Sequence, residues 1–234
     1  MIEHRPLSDI GATHAGWLTA KHHFVIGPYG NPAHGHAGVL YVWNDDAIAA
    51  RTGFPPHGHS NVEIVTYVRQ GAITHEDSLG NRGQIRAGDV QVMSAGTGIR
   101  HAERNDEDMA THVFQLWFEP REAGGAPRWD TRSFPRADRA GQLVPLASGR
   151  SLPGALPIGA DADVFGATLT AGSSVEIALP ANDSAYLVPA KGALVVNGVQ
   201  VAERDGMLLR DEHHVRIEAT TDAELVLVLA GPMR

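Results

Sequence analysis

From Val39 to Leu229 the sequence is broken into short runs of β-branched and aromatic residues, and helical periodicity is hardly present. Val39–Trp43, Val62–Val68, Val90–Met93 and Thr111–Phe118 alternate as half-buried strands do, with residues two apart on one face. Turn signals separate them at Gly71, Ser78-Leu-Gly-Asn-Arg-Gly83 and Ala87-Gly88-Asp89, and Asn44-Asp45-Asp46 reads as a further turn. The same rhythm resumes through Val164–Leu169, Ser174–Leu179, Ala185–Val188, an Asn197-Gly198 hairpin turn and Glu224–Leu229. Many short strands at regular spacing predict an all-β chain of the sandwich or barrel kind. With 234 residues, 43% of them hydrophobic, it can bury one large core or two small ones.

Between residues 119 and 160 the pattern lapses, and Pro, Gly and Arg concentrate. The division expected is therefore a first domain at 1–125, a linker and surface segment at 126–160, and a second domain at 161–234. A short strand is expected near 128–134. The second domain reads as a worn copy of the first. With Val62 laid on Asp183, both copies end a strand in Gly (Gly71, Gly192), while His57, His59 and Glu63 fall on Ala178, Pro180 and Ser184. Asp211-Glu-His-His214 faces no second His pair and reads as exposed turn residues.

The residues that carry chemistry lie between Gly53 and Asn105. Gly-Phe-Pro-Pro-His57-Gly-His59 would put two imidazoles on one face of a strand, and His101-Ala-Glu103 an imidazole and a carboxylate. Two strands presenting these pairs to each other make a pocket of three His and one Glu. That donor set suits a divalent transition metal such as iron, manganese, nickel or copper. The chain has no Cys, which excludes a thiolate structural zinc site and disulfides. His22 and His23 are adjacent and read as surface or rim; His34 and His36 sit in a Gly/Pro-rich loop.

Nineteen basic against 27 acidic residues leave a net charge of −8, which argues against direct nucleic-acid binding. The N-terminus does not look like a signal peptide and no apolar run approaches a membrane span, so a cytoplasmic protein without membrane contact is expected.

His57-Gly-His59-Ser-Asn-Val-Glu63 and His101-Ala-Glu-Arg-Asn105 resemble the two motifs of the cupin superfamily, His-x-His-x(3,4)-Glu and His-x(3)-Asn. Gly-Phe-Pro-Pro-His-Gly-His, Glu63-Ile-Val-Thr-Tyr-Val, His75-Glu-Asp-Ser-Leu-Gly-Asn and Met93-Ser-Ala-Gly-Thr-Gly-Ile-Arg-His101 resemble the pirin family within it. The likeness is close over residues 20–120 and looser but collinear beyond, where the short second half is similar to bacterial pirin-like quercetinases. It implies a bicupin, two double-stranded β-helix domains, with metal only in the first. Pirins hold the metal with three His and a Glu, which carry over onto His57, His59, His101 and Glu103. Other cupins take the Glu from the first motif, here Glu63. On the pirin pattern Glu103 is ligand and catalytic base, and Glu63 is an inward-facing supporting or structural carboxylate.

The metal implied is Fe(II) in first place, with Mn, Ni, Cu or Zn as alternatives. The activity implied is dioxygenase cleavage of a flavonol such as quercetin, with release of carbon monoxide. Gly58 and Ser60-Asn61 depart from the common pirin pattern and alter the pocket wall. Pirins are also known as metal-dependent, redox-sensitive partners of transcription factors and metabolic enzymes, so a regulatory binding protein is the alternative. A metal acting only as a structural clip is the third reading.

Overall fold

The structure, a computed structural model, describes residues 1–233. Among the described residues there are 22 strands and a single 3-10 turn at Arg136–Arg139, and no helix is long and apolar enough to cross a membrane. In the first half a seven-stranded sheet runs β12 (Arg128–Ser133), β9 (Asp89–Ser94), β6 (Glu63–Gln70), β11 (Thr111–Phe118), β4 (Leu40–Ile48), β3 (Leu18–His22), β2 (Gly11–His14). A four-stranded sheet of β5 (Gly53–His59), β10 (Ile99–Arg104), β7 (Ala72–Asp77) and β8 (Arg82–Arg86) covers it.

The second half repeats the plan. Its large sheet runs β1 (Ile2–Arg5), β20 (Gly206–Arg210), β17 (Ser184–Lys191), β22 (Ala223–Ala230), β15 (Ala162–Leu169), β13 (Val144–Ser148), β14 (Leu156–Pro157). Its small sheet is β16 (Ser174–Ala178), β21 (His214–Ala219), β18 (Leu194–Val196) and β19 (Val199–Val201). Strand for strand the orders correspond, β6 with β17 and β10 with β21. The chain is an all-β bicupin.

The two large sheets pack on each other. Val65 and Tyr67 of β6 and Phe114, Leu116 and Phe118 of β11 share one buried cluster with Val188, Val226 and Val228 of the second half. The alternate residues Val68 and Val113 pack instead with Ile73 and Ile85 inside the first barrel. So each central strand is hydrophobic on both faces, which explains its near-continuous apolar character. Polar groups bridge the same seam: Glu224 accepts from Tyr67 Oη, from Arg139 Nη2 at 3.1 Å and from Arg136 Nε at 2.8 Å.

Three expectations change here. Residues 126–160 are not a linker: β12, expected near 128–134, completes the first large sheet, and β13 pairs with β15 in the second. Pro145 is accommodated where the β13–β15 register shifts, a place where a strand tolerates a missing donor. The first five residues belong to the second half, where β1 pairs with β20. Asn44-Asp45-Asp46 is no turn but the middle of β4; its polarity serves contacts on both faces of the strand.

The copy also slips by one residue in β16. Ala178 is exposed, whereas Ile177 pairs across to Val215, in the place that His57 and His101 take in the first half. A one-residue shift turns every side chain to the other face. Ile177, Leu179, Val215 and Ile217 join one apolar cluster filling the second barrel, and His213 and His214 are exposed.

Candidate metal centre

Strand β10 lies between β5 and β7, and the cross-strand pairs set the site. His101 is opposite His57 on one side and Asp77 on the other; Glu103 is opposite Phe54 and His75. Between His101 and Glu103 the register to β5 shifts, three steps on β5 matching two on β10. This bulge turns Phe54 to the same interior as His57, and bulges are frequent beside functional sites. β5 is an edge strand, where Pro55 and Pro56 remove no needed donor.

The structure brings His57, His59 and His101 together, each offering a ring nitrogen within 4.8 Å of the others. His57 Nδ1 lies 2.8 Å from the Pro55 carbonyl and donates to it, which leaves the Nε2 lone pair for the site. That Nε2 is 3.1 Å from His101 Nε2. Burial, and after it the charge of neighbouring imidazoles, pushes His59 down to about 4 and His101 to about 3. Both rings are therefore neutral at pH 7, the form that binds a metal. Ring nitrogens converging at this distance need a proton or a cation between them, so the residues fit a metal.

Glu103 is 2% exposed and lines the same cavity. Its Oε1 accepts from Gln91 Nε2 at 2.6 Å and its Oε2 from Gln115 Nε2 at 2.5 Å. Each amide is oriented in turn by an indole, Trp129 Nε1 donating to Gln91 Oε1 at 2.9 Å and Trp117 Nε1 to Gln115 Oε1 at 3.2 Å. Because an indole N–H can only donate, the two NH₂ groups must face the carboxylate. Burial raises Glu103 to about 7, against the opposing pull of the two amides.

Glu63 lies elsewhere. It shares the interface face of β6 with Val65 and Tyr67, and accepts from Ser94 Oγ at 2.7 Å and Gly159 N–H at 2.8 Å. It faces the second half, not the barrel interior, because the parity that joins 57, 59 and 63 does not carry across the turn from β5 to β6. Its bonds to Ser94 of the first half and Gly159 of the second span the seam between the halves.

Several site residues were not singled out in the sequence. His22 and His23 are both buried rather than at the surface. His22 lines the cavity, bonded to Asn44 Oδ1 at 2.8 Å and Thr13 Oγ1 at 2.9 Å, while His23 sits in the seam 2.9 Å from Tyr186 Oη. Asp46 also lines the cavity, with its carboxyl raised well above the usual range by burial and, less, by Asp45 and Glu103. His75 lies against His101, and His75, His101 and Glu103 form a second group of donor atoms within 4.8 Å. Its signals in the sequence were the His-x-Asp spacing of residues 75 and 77 and its place in the family-like stretch His75-Glu-Asp-Ser-Leu-Gly-Asn. The cavity holds about 370 Å³ and is walled by Leu18, Ile26, Tyr29, Phe54 and Trp117.

Two cupin barrels with three imidazoles and a buried carboxylate in one of them define a bicupin with a metal-competent first half. The chain belongs to the pirin family. The Pirin family model matches residues 4–118, and that of the quercetinase C-terminal cupin domain residues 146–228. A "Pirin-like protein" of Caulobacter vibrioides is 56% identical over 99% of this chain and 100% of its own. A "Quercetin 2,3-dioxygenase" of Escherichia coli is 36% identical over the whole of both chains. The crystal structure of the bacterial pirin YhhW from Escherichia coli in complex with nickel(II) superposes with a TM-score of 0.93, at 34% identity, covering 99% of this chain and 100% of that one.

Proposed function

We propose that the protein is a metal-dependent dioxygenase that cleaves a flavonol such as quercetin, taking up O₂ and releasing carbon monoxide. The observation that carries this reading is Glu103, a buried carboxylate held by two amides, in an aromatic-walled cavity at a cluster of three imidazoles. His57, His59, His101 and Glu103 would hold a divalent transition metal, Fe(II) by preference. When bound, it supplies the positive charge that favours the deprotonated form of an enol hydroxyl, with coordination positions to spare.

The protein's own groups do the rest. Buried and held by two amides in the cavity, Glu103 is the carboxylate placed to act as general base. The enol proton goes to Oε1 or Oε2, each of which keeps a lone pair beyond the amide N–H it accepts. Gln91 and Gln115 hold the carboxylate in place before and after the transfer. Tyr29, Phe54 and Trp117 offer flat ring walls to a planar ring system, and a space of about 370 Å³ lies within the range of ligand pockets. The name of the Escherichia coli relative supports the substrate class.

The test is elemental analysis of untagged protein, then oxygen uptake with a panel of flavonols and other enols. Quercetin should disappear with equal amounts of O₂ consumed and carbon monoxide formed, and Glu103→Gln should lose about 10²-fold or more of that turnover. Metal-replete wild type that turns over no flavonol refutes the reading.

A further inference from the structure

Beyond the residues already assigned, the small sheet carries a second pair at strand spacing, His75 and Asp77 on β7, on the side of β10 away from β5. Cross-strand pairing places Asp77 opposite His101 and His75 opposite Glu103, so both reach the inner face of the site. His75 is 0% exposed. Its Nε2 lies 3.1 Å from Asp77 Oδ2, and a carboxylate there sets the tautomer: the proton sits on Nε2 and the lone pair on Nδ1. Asp77 is itself held, its Oδ1 accepting from the backbone of Leu79 and Asn81 and its Oδ2 from Asn81 Nδ2 at 2.9 Å.

The His75 ring is clamped as well. Trp129 lies parallel to it, centroids 4.8 Å apart and planes 8° apart. The indole occupies the space over Gly83, the residue paired with His75 on β8, where a Cβ would come within 2.6 Å of the ring. The same indole orients Gln91 towards Glu103. So much construction around one imidazole is unexplained by packing alone, since an aliphatic residue would fill the place without needing a carboxylate.

His101 supplies the need. With Nε2 turned to His57, its Nδ1 is buried without a partner, and so is Nδ1 of His75. The two rings lie 5.3 Å apart. A metal-bound histidine characteristically donates its other ring N–H to an acceptor, which fixes its orientation and raises its basicity. We propose that the His75–Asp77 pair, clamped by Trp129 over Gly83, is the positioning device for His101: its Nδ1 lone pair receives the His101 Nδ1–H, through a bridging water where the rings do not touch. The inference rests on the metal reading of the site, and it assigns His75 no contact with substrate.

The test compares wild type, His75→Phe, which keeps a ring for Trp129 to stack on, and Asp77→Asn, which keeps the imidazole. Each is titrated with Co(II) against a competing chelator while the visible absorption of the bound ion is recorded, and the metal-free forms are melted as controls. Expected are an affinity loss of about 10- to 100-fold in His75→Phe, a smaller loss in Asp77→Asn, and altered spectra in both. Unchanged affinity and spectrum in both variants overturn the proposal. So does complete loss of binding in His75→Phe with Asp77→Asn unaltered, since His75 would then be a ligand itself. Wild type that fails to bind Co(II) overturns the metal reading along with it, and the same titration shows which has failed.

Discussion

In the metal-free protein Glu103 is a buried carboxylate lining the cavity. Burial raises its carboxyl from 4.5 in an open chain to about 7. A group raised on folding favours the protonated form in the native state, so its ionisation opposes folding. Its contribution is intact below about pH 4.5 and is lost as pH rises through about 7, a loss of ~3 kcal/mol for a shift of this size. Because the residue is 2% exposed, solvent screening does not reduce that figure much. Glu103→Gln cannot ionise and lacks this pH term. It carries a pH-independent cost instead, since one of its own N–H groups must face the NH₂ of Gln91 or Gln115, at ~1–3 kcal/mol. His59 and His101 act in the opposite sense, losing stability as pH falls below 6.5 towards their folded values of about 4 and about 3. That loss is common to both proteins and cancels in the difference. Urea unfolding in the presence of a chelator, followed by Trp fluorescence between about pH 5 and pH 8, measures it. The stability of the variant relative to wild type should rise by ~2.5 kcal/mol across that range, the part of the loss that falls above pH 5. Parallel curves, whatever their offset, would refute the assignment of a raised carboxyl to Glu103.

Two further outcomes follow from the same geometry. His57→Ala and His101→Ala should each bind markedly less than one metal per chain by elemental analysis while keeping the wild-type far-UV spectrum, because the shared core between the large sheets is untouched; wild-type metal content in both would be inconsistent with the site. Glu63→Gln should keep stability within about 1 kcal/mol of wild type, since Ser94 Oγ and Gly159 N–H both donate to one oxygen, Oε2, and an amide oxygen in that place has two lone pairs to accept both. Its flavonol turnover per bound metal should remain near wild type, and a loss matching that of Glu103→Gln would show that Glu63 serves the chemistry.

What the sequence alone determined is what one strand can determine. A period of two puts His57 with His59, and His101 with Glu103, on common faces, and the Gly and Asn turns mark where strands end; hence the all-β class, the repeat and four of the converging side chains were legible. Tertiary structure decided everything that depends on which face a strand turns to which neighbour. Glu63 shares its parity with the histidines yet points into the seam between the halves, because the turn before β6 resets the facing. The segment at 126–160 looked like a linker by composition, but β12 brings Trp129 onto His75 and Gln91. Asn44-Asp45-Asp46 looked like a turn because local polarity cannot tell a solvated loop from a strand: Asp45 meets Arg69 and Arg204 on one face, and Asp46 faces the cavity on the other. His22, Gln91 and Gln115 carry no local signature at all. Their partners come from other strands, and only the closed barrel sets those distances.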